Sequence, residues 1–419
     1  MLRMVIIAVF LLLPQTQKHR RIEVGEDRLL SASGPALPLV ESQLSTNPIN
    51  PKQLFAVVTQ FGPPRGSNAS CISWSSFDGG RSWIRRRLPI QCSGDPWGAI
   101  LPDGSAVMVV LGHVDGHEDN AFLFRSPDGG RTWPNAPLGV GAHQDHPMVI
   151  AHGNDVYVAS GGGLRNSAGQ HRDTVSIAHS QDGGRTFGPP TNVIASNLGY
   201  QAEGPAVLSD GTFVVGFHDY VRQGSATWLL RPRSWMLRSS DHGRTFSEPL
   251  LISESCNSLG GWPSMAVDGD NRLFWTCIAD KFNGVLVQRS DDRGDSWSEP
   301  VRVNHSEKAD SFTPSIAVNK DGVVGVSWYE IHDKNCFDLY FTASLDHGKS
   351  YLPEARVSSA TSCPDTPQNK GVFDPGRTFG AGGDYSGLAA TSDGIFHIVW
   401  SDARSGVYQL RTASVTVKP

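Results

Sequence analysis

Short apolar runs separated by polar turns recur along the chain, and residues 311–351 show the pattern completely. An apolar run over 315–318 meets the turn Asn-Lys-Asp-Gly, a second run over 323–328 leads into a polar loop, and a third run covers 339–343. A polar turn then leads towards a fourth strand. Strands of about five residues joined by such turns predict one twisted antiparallel sheet of four strands.

An eight-residue word ends the third strand of this unit and recurs along the chain. Its six copies are SFDGGRSW at 76, SPDGGRTW at 126, SQDGGRTF at 180, SSDHGRTF at 239, SDDRGDSW at 290 and SLDHGKSY at 344. The third letter is always aspartate, at Asp78, Asp128, Asp182, Asp241, Asp292 and Asp346. Copies follow one another after roughly fifty residues, a period typical of propeller blades. We therefore predict an all-β fold, a β-propeller of four-stranded antiparallel blades.

Each residue type in the word has a predicted mechanical role. The serine and aspartate side chains can accept hydrogen bonds from backbone N–H groups inside the turn. The glycine supplies a positive φ that a side chain would resist. The closing Trp, Phe or Tyr is expected to bury its ring against the blade's own sheet. We interpret the word as a local staple for a hairpin, so the chemistry is expected elsewhere.

The number of first strands exceeds the number of words by one. Openings of seven blades can be recognised at residues 41, 94, 145, 203, 261, 312 and 384. The last unit ends after its third strand, and the segment RIEVGEDRLL from residue 21 is predicted to supply the missing fourth strand and close the ring. Seven blades are favoured and six remain the alternative, with a single propeller domain over 18–419.

Composition limits the classes of function. The chain has 419 residues, of which 39% are hydrophobic and 18% charged, and its formal net charge of −5 gives no support for nucleic-acid binding. Residues 1–17 contain Arg3 and then an apolar run over 4–13, too short to span a bilayer, which needs about 20 residues. The run is typical of a secretory signal peptide. We expect a secreted or extracytoplasmic protein without a membrane span.

Six cysteines fit an oxidising compartment. Fifteen full pairings are possible, and the spacing favours the local ones, Cys71 with Cys92, Cys256 with Cys277, and Cys336 with Cys363. Each bond would close a loop of roughly 20 to 27 residues and contribute about 3 kcal/mol. No C-x-x-C pair occurs, which argues against a zinc site. Sequons at Asn68 and Asn304 predict glycosylation in a eukaryotic secretory route.

The six words match the Asp-box, the bacterial neuraminidase repeat S-x-D-x-G-x-[T/S]-[W/F/Y], and the chain resembles sialidases and the wider group of Asp-box propellers. The resemblance implies a tyrosine nucleophile with a glutamate partner. The stretch GDYSGLAATSDG matches the nucleophile segment at Tyr385, and QAEGPAVLSDG matches the partner segment at Glu203. The family's arginine triad is not recognisable, because the first blade opens with Glu41-Ser42-Gln43 and the strand after Glu203 ends in His218-Asp219.

First strands line the axis of a propeller, so the opening residues are expected to converge at one mouth. The predicted catalytic residues are Tyr385, Glu203, Asp95, Asp145 and His146. The predicted substrate-binding residues are Glu41, Trp262, Thr313 and Arg377. Paired carboxylates can divide acid and base work, and a tryptophan can stack on a sugar ring. The alternatives are that Asp95 and Asp145 cap turns and that Trp262 fills the channel wall.

Three functions remain open on the sequence. The first is a glycoside hydrolase. It would be either a sialidase with Tyr385 as the nucleophile or an enzyme that uses two carboxylates. The second is a polysaccharide lyase in which His146 and Tyr385 transfer protons and Arg377 neutralises a uronate. The third is a non-catalytic propeller that binds a glycan or a protein. We expect a carbohydrate or glycoconjugate partner, a monomer and no cofactor, with a structural calcium ion left open.

Overall fold

A computed structural model of the chain describes most of the residues after the N-terminal segment. These are residues 21–31, 37–62, 69–113, 120–142, 144–165, 171–193, 199–220, 222–223, 227–228, 233–257, 261–279, 283–306, 309–332, 335–369 and 382–418. The predicted signal peptide over 1–17, Asn68 and Arg377 lie outside the described residues. No helix in the described part of the chain is both long and apolar enough to cross a membrane.

The described residues form β-strands and one short 3-10 helix, Pro367–Asn369. Two strands precede the first blade: β1 Ile22–Val24 and β2 Arg28–Leu29. Blade 1 contains β3 Leu39–Thr46, β4 Leu54–Phe61, β5 Ala69–Ser76 and β6 Ile84–Arg87. Blade 2 contains β7 Gln91–Ile100, β8 Ala106–His113, β9 Asn120–Ser126 and β10 Leu138–Ala142. Blade 3 contains β11 Gln144–His152, β12 Asp155–Arg165, β13 His171–Ser180 and β14 Thr191–Asn192.

The remaining blades repeat this order. Blade 4 contains β15 Gly199–Val207, β16 Phe213–Tyr220, a two-stranded insertion of β17 Arg222–Gln223 and β18 Thr227–Trp228, then β19 Arg233–Ser239 and β20 Leu250–Ser253. Blade 5 contains β21 Cys256–Asn257, β22 Ser264–Val267, β23 Leu273–Ala279, β24 Val285–Ser290 and β25 Val301–Arg302. Blade 6 contains β26 Ser311–Val318, β27 Val324–Ile331, β28 Phe337–Ser344 and β29 Ala355–Arg356. Blade 7 contains β30 Gly387–Ala390, β31 Phe396–Asp402 and β32 Gln409–Val417.

The seven antiparallel sheets form a ring, which confirms the predicted seven-bladed β-propeller. The closing strand is β1, which pairs with β32 so that Ile22 lies opposite Val417 and Val24 opposite Val415. Strand β2 extends the same edge by pairing with Thr412 and Arg411. Blade 7 therefore takes its fourth strand from residues 22–24. This was predicted because the chain has seven first strands but only six Asp-box words.

The Asp-box words form the predicted hairpin staples between third and fourth strands. In the first word, the Ser76 hydroxyl donates to Asp78 at 2.9 Å and accepts from the Gly80 N–H at 2.8 Å, while Asp78 also accepts from Ser82. The fourth and fifth residues of every word have a positive φ, and the fifth is always glycine. The closing ring differs from the prediction: Trp133 lies against Phe55 of blade 1 and Phe124 of blade 2, so it packs between blades.

Hydrophobic cores lie between neighbouring sheets, because each blade buries a face against the next one. The core between blades 1 and 2, for example, joins Phe55 and Val57 to Met108 and Val110. All three predicted disulfides are present. The bond from Cys71 to Cys92 connects β5 with β7 and therefore links blades 1 and 2 covalently. Three disulfides fit an extracellular protein.

Candidate active site at the ring centre

A β-bulge near the start of the first strand re-aims the opening side chains in five blades. The pairing of first and second strands shifts by an extra residue at Val40–Gln43, Gly94–Trp97, Asp145–Met148, Glu203–Ala206 and Phe312–Ser315. The first extra residue of each bulge has a positive φ: Glu41, Asp95, His146, Gly204 and Thr313. Because bulges change where side chains point, this repeated device brings the opening residues to the ring centre, which we call the central mouth.

Hydrogen bonds tie the openings of the first three blades together. The Glu41 carboxylate accepts from the Thr59 hydroxyl at 2.7 Å and from the Asp95 N–H at 3.3 Å. The Asp95 carboxylate accepts in turn from the His146 N–H at 3.3 Å. Glu41 and Asp95 thus have a structural role, since each holds the backbone of the next blade. The Asp95 carboxylate therefore bonds to the backbone of the neighbouring blade, which differs from the turn cap considered from the sequence.

Tyr385 lies among residues from several other blades. Its ring centre is 5.2 Å from those of both Trp97 and His146. The side chain is buried, and its hydroxyl has no hydrogen-bond partner among the described residues. The adjacent Asp384 carbonyl accepts from the Trp262 N–H at 3.0 Å, which joins the openings of blades 5 and 7. The segment around Tyr385 is therefore held at the centre by backbone contacts.

Negative charge dominates the electrostatics around Tyr385. Burial, followed by repulsion from Glu41 and Asp145, raises the pKa of Asp95 well above its ordinary value. Burial and nearby carboxylates, Glu41 first, likewise hold the pKa of Tyr385 well above its ordinary value. At neutral pH the Tyr385 phenol is uncharged, and the raised pKa of Asp95 favours the protonated form of its carboxyl.

Glu203 has a different partner from the one that the sialidase resemblance implies. Its side chain is fully buried, and one carboxylate oxygen binds Nδ1 of His218 while the other has no partner among the described residues. Burial raises the pKa of Glu203, and His218 opposes this shift. The Tyr385 hydroxyl does not bond to Glu203 in this structure, so the expected nucleophile–carboxylate contact is not formed.

The remaining predicted residues occupy distinct depths at the mouth. Asp145 is exposed and Trp262 is half-buried, with its ring 5.0 Å from His146 and stacked 5.3 Å from His218. His146 is buried, and burial lowers its pKa to about 3, so its ring is neutral at physiological pH. Thr313 is buried, and its hydroxyl has no hydrogen-bond partner in the part of the chain that the structure describes. Solvent thus reaches the cluster at Asp145 and Trp262.

Three further residues belong to the site and were not predicted: Trp97, His218 and Asp384. Trp97 follows Asp95 by two residues, a spacing that places side chains on one face of a strand, and this signal is present in the sequence. Asp384 is the direct neighbour of Tyr385. Nothing in the local sequence marks His218 as the partner of Glu203, because their contact depends on the pairing of β15 with β16.

The mouth carboxylates do not converge as ligands of one metal ion. Within the described residues, the set of three potential ligands close enough for an ion is Asp155, His179 and His242, which lies elsewhere in the ring.

The structure argues against the predicted glycan on Asn304. Its side chain is buried, its amide nitrogen donates to the Ser306 carbonyl at 2.9 Å, and its amide oxygen accepts from the Val285 N–H at 2.9 Å. A sequon marks only the local sequence, whereas glycosylation needs an exposed amide.

Solved structures with the same fold include proteins that act on carbohydrates. An ulvan lyase of polysaccharide lyase family 25 is 14% identical, with 90% of this chain and 94% of that protein covered and a TM-score of 0.52. A protein of unknown function from Dyadobacter fermentans is 13% identical, with 95% and 100% covered and a TM-score of 0.53. A Trypanosoma rangeli sialidase is 17% identical, with 80% and 55% covered and a TM-score of 0.47.

At these identities the likeness to the ulvan lyase and to the Dyadobacter fermentans protein shows the shared fold alone. No curated protein sequence matches this chain significantly. The BNR repeat-like domain family matches residues 44–274, more than half of the chain, and this range includes the first four Asp-box words. The chain belongs to the BNR repeat-like domain family.

Proposed function

We propose that this protein is a secreted glycoside hydrolase whose reacting groups are Asp95 and Asp145 at the central mouth. The observation that carries the proposal is the environment of these two carboxyls. Burial and repulsion keep the pKa of Asp95 high, whereas Asp145 is exposed to solvent. Two carboxyls in unlike environments can serve as acid and base in glycoside hydrolysis.

In the proposed reaction, Asp95 gives its proton to the glycosidic oxygen as the bond from that oxygen to the anomeric carbon breaks. A water molecule forms the new bond to the anomeric carbon and gives its proton to the Asp145 carboxylate. The neutral Tyr385 phenol, whose hydroxyl is unpartnered, is available to hydrogen-bond to the sugar. An unpartnered buried hydroxyl costs about 1 to 3 kcal/mol, which a bound hydroxyl group would offset.

The charge of the mouth favours a neutral sugar. Glu41, Asp384 and Asp145 all act electrostatically on Asp95, and they would repel a sugar carboxylate. A Tyr385 nucleophile is supported less, because its pKa is raised and Glu203 binds His218 instead. The half-buried Trp262 offers an apolar surface for a pyranose ring.

A lyase is the second candidate, and the contact between His146 and Tyr385 favours it. Their ring centres are 5.2 Å apart. Burial lowers the pKa of His146 to about 3, so the imidazole is uncharged but a weak base, and this ranks the lyase below the hydrolase. The neutral Tyr385 phenol could protonate the leaving oxygen. This reaction needs a cation for the uronate, and the residue proposed from the sequence, Arg377, lies outside the described part.

The test is a substrate panel of neutral arylglycosides, sialosides and uronate polymers, with released sugar and unsaturated product both followed. We expect neutral sugar release that falls by at least about 100-fold in Asp95→Asn. Asp321→Asn, an exposed turn residue of blade 6, is the matched control and should retain activity. Unsaturated product lost in His146→Ala would establish the lyase instead. Glycan retention without any product would show a binding propeller and overturn both.

The proposal that the protein is exported rests on residues 1–17 and the three disulfides, and the mature domain is proposed to begin at residue 18. Expression of the full chain in a secreting host, followed by N-terminal sequencing of the protein from the medium, tests both points. Recovery only from the cell interior, with residues 1–17 retained, would contradict them.

A further inference from the structure

Two imidazoles and a carboxylate converge at the junction of blades 3 and 4. Asp155 begins β12, His179 lies near the end of β13, and His242 is the fourth residue of the Asp-box word of blade 4. Nε2 of His179 is 2.7 Å from Oδ1 of Asp155, and Nδ1 of His242 is 3.4 Å from the same oxygen. The three potential ligand atoms all lie within 4.8 Å of one another.

This junction is at the end of the blades opposite the central mouth. Asp155 follows the turn between the first and second strands, and His242 lies in the turn between the third and fourth strands. In an antiparallel blade these two turns share one end, whereas the strand openings with Asp95 and Tyr385 lie at the other. The cluster is therefore separate from the proposed active site.

The junctions of blades 4 and 5 and of blades 5 and 6 bring together the equivalent turn residues, but there an arginine binds the aspartate. In blade 5 the fourth residue of the word is Arg293, which binds Asp210 of blade 4. In blade 6 it is His347, which lies 3.8 Å from Asp268, but Arg272 binds that aspartate at 3.0 Å. An arginine cannot serve as a metal ligand at neutral pH, because it stays protonated. In the cluster at blades 3 and 4, His179 occupies the place beside the aspartate.

Aromatic packing holds the cluster in a defined geometry. The ring of Tyr157 stacks on His179 at 4.4 Å, and His179 stacks on His242 at 5.6 Å with 14° between their planes. Tyr157 is fully buried, and its hydroxyl has no hydrogen-bond partner among the described residues. A buried hydroxyl beside the ligands can bond to a water on the metal or to a ligand oxygen, and such a hydrogen bond fixes the orientation of the ligand.

We propose that Asp155, His179 and His242 bind a divalent transition-metal ion, with zinc as the preferred ion, and so link blades 3 and 4. Imidazole nitrogens with one carboxylate oxygen are a ligand set that suits zinc, cobalt and nickel, whereas calcium takes six to eight oxygen ligands. Three protein ligands leave one position for water. The missing C-x-x-C motif excluded only cysteine sites, and these ligands are 24 to 87 residues apart in the chain.

The test uses the full mature protein, stripped with a chelator and titrated with Zn²⁺ by calorimetry and with Co²⁺ by visible absorption. We expect about one equivalent to bind, with a tetrahedral Co²⁺ spectrum that Zn²⁺ abolishes. In His242→Gly the affinity should fall at least about tenfold. This variant places at position 242 the glycine that three other words carry there, where φ is 62°, so it retains the fold.

His347→Gly is the matched control, because it removes the histidine from the same position of the sixth word. Its metal affinity should equal that of the original chain. Binding weaker than about 1 mM in the original chain would overturn the proposal. Equal affinities in the original chain and His242→Gly would also overturn it, as would an equal loss in both glycine variants.

Discussion

Glu203 and His218 form a buried hydrogen-bonded pair next to the ring of Trp262, which stacks on the His218 ring. Glu203 is fully buried, and His218 provides its hydrogen-bond partner through Nδ1. Removing the Glu203 carboxyl and the His218 ring from water costs desolvation energy. Their mutual hydrogen bond offsets this cost only while both side chains are present. Removal of either partner leaves the other one buried and uncompensated.

We predict that His218→Ala lowers the free energy of unfolding by about 3 to 5 kcal/mol, because Glu203 loses its partner without gaining water. Urea unfolding followed by tryptophan fluorescence measures the change. His152→Ala, at the exposed end of β11, is the control and should differ by less than about 0.5 kcal/mol. A loss in His218→Ala no larger than that of the control would show that the pair contributes little.

At the scale of the secondary-structure element, the Asp-box hairpin depends on two successive residues with positive φ. The first position accepts glycine, histidine or arginine in different words, whereas the second is always glycine. The space around the two positions differs from word to word: Gly243, at a second position, has no atom closer than 3.6 Å to a Cβ, whereas one on Gly129, at a first position, would lie 2.9 Å from the Gly104 carbonyl oxygen. A Cβ on Gly79 would meet nothing within 4 Å, but one on Gly130 would overlap the Ser75 hydroxyl and lie 3.0 Å from Phe55.

We therefore predict unequal effects for two alanine substitutions in the words. Gly79→Ala should cost about 1 to 2 kcal/mol, the strain of a left-handed residue with a side chain. Gly130→Ala should cost about 1 to 3 kcal/mol more, because it also overpacks the core between blades 1 and 2. Thermal unfolding of both variants measures the difference. Equal costs would mean that backbone strain alone fixes the second glycine.

The words should also make stability sensitive to acid. Burial is the largest single influence on Asp78 and opposes its ionised form, but the hydrogen bonds from Ser82, Ser76 and Arg81 together outweigh it and lower the pKa of Asp78 from 3.8 to about 2. Because the folded-state pKa is depressed, the stabilising effect is complete above about pH 4 and is lost as the pH falls towards 2. Asp346 has the same shift, to about 2.

Urea unfolding at several pH values between 5 and 2 should show this loss. The variant Asp78→Asn is the comparison, since it has one titrating group fewer and should lose less stability over the same range. Parallel pH profiles for the two proteins would contradict the assigned role of the word's carboxylate.

At the scale of the whole molecule, the ring is closed by pairing between the two ends of the described chain. Ile22 is buried in the core of blades 6 and 7, and its strand pairs with β32. Closure removes the exposed edges that an open sheet would present. The order of the blade openings around the mouth depends on this closure.

We predict that Ile22→Ala lowers the free energy of unfolding by about 2 to 5 kcal/mol, because it leaves a cavity in the closing blade. Glu23→Ala, at the exposed neighbouring position of the same strand, should change stability by less than about 0.5 kcal/mol. Chemical denaturation of the two variants provides the comparison. Similar stabilities would show that the closing strand adds little to the ring.

The sequence alone determined the blades and the disulfide pairs, because both depend on interactions between residues within about fifty positions of each other. It also determined the closing strand, because the last blade has only three strands of its own. Ser76, Asp78 and Gly80 complete their hydrogen bonds inside one turn, so their pattern is sufficient to identify it. The pairing of Cys71 with Cys92 was also predictable, because the two cysteines are only 21 residues apart in the sequence.

Only the tertiary structure decided which side chains meet at the ring centre. Tyr385 contacts Trp97 and His146, more than 200 residues away in sequence, and the bulges set the direction of each opening residue. Glu203 meets His218 rather than Tyr385 because the pairing of two adjacent strands places them together in a site that excludes water. The contacts of Tyr385 depend on the radial position of whole blades, which no local pattern of residues encodes.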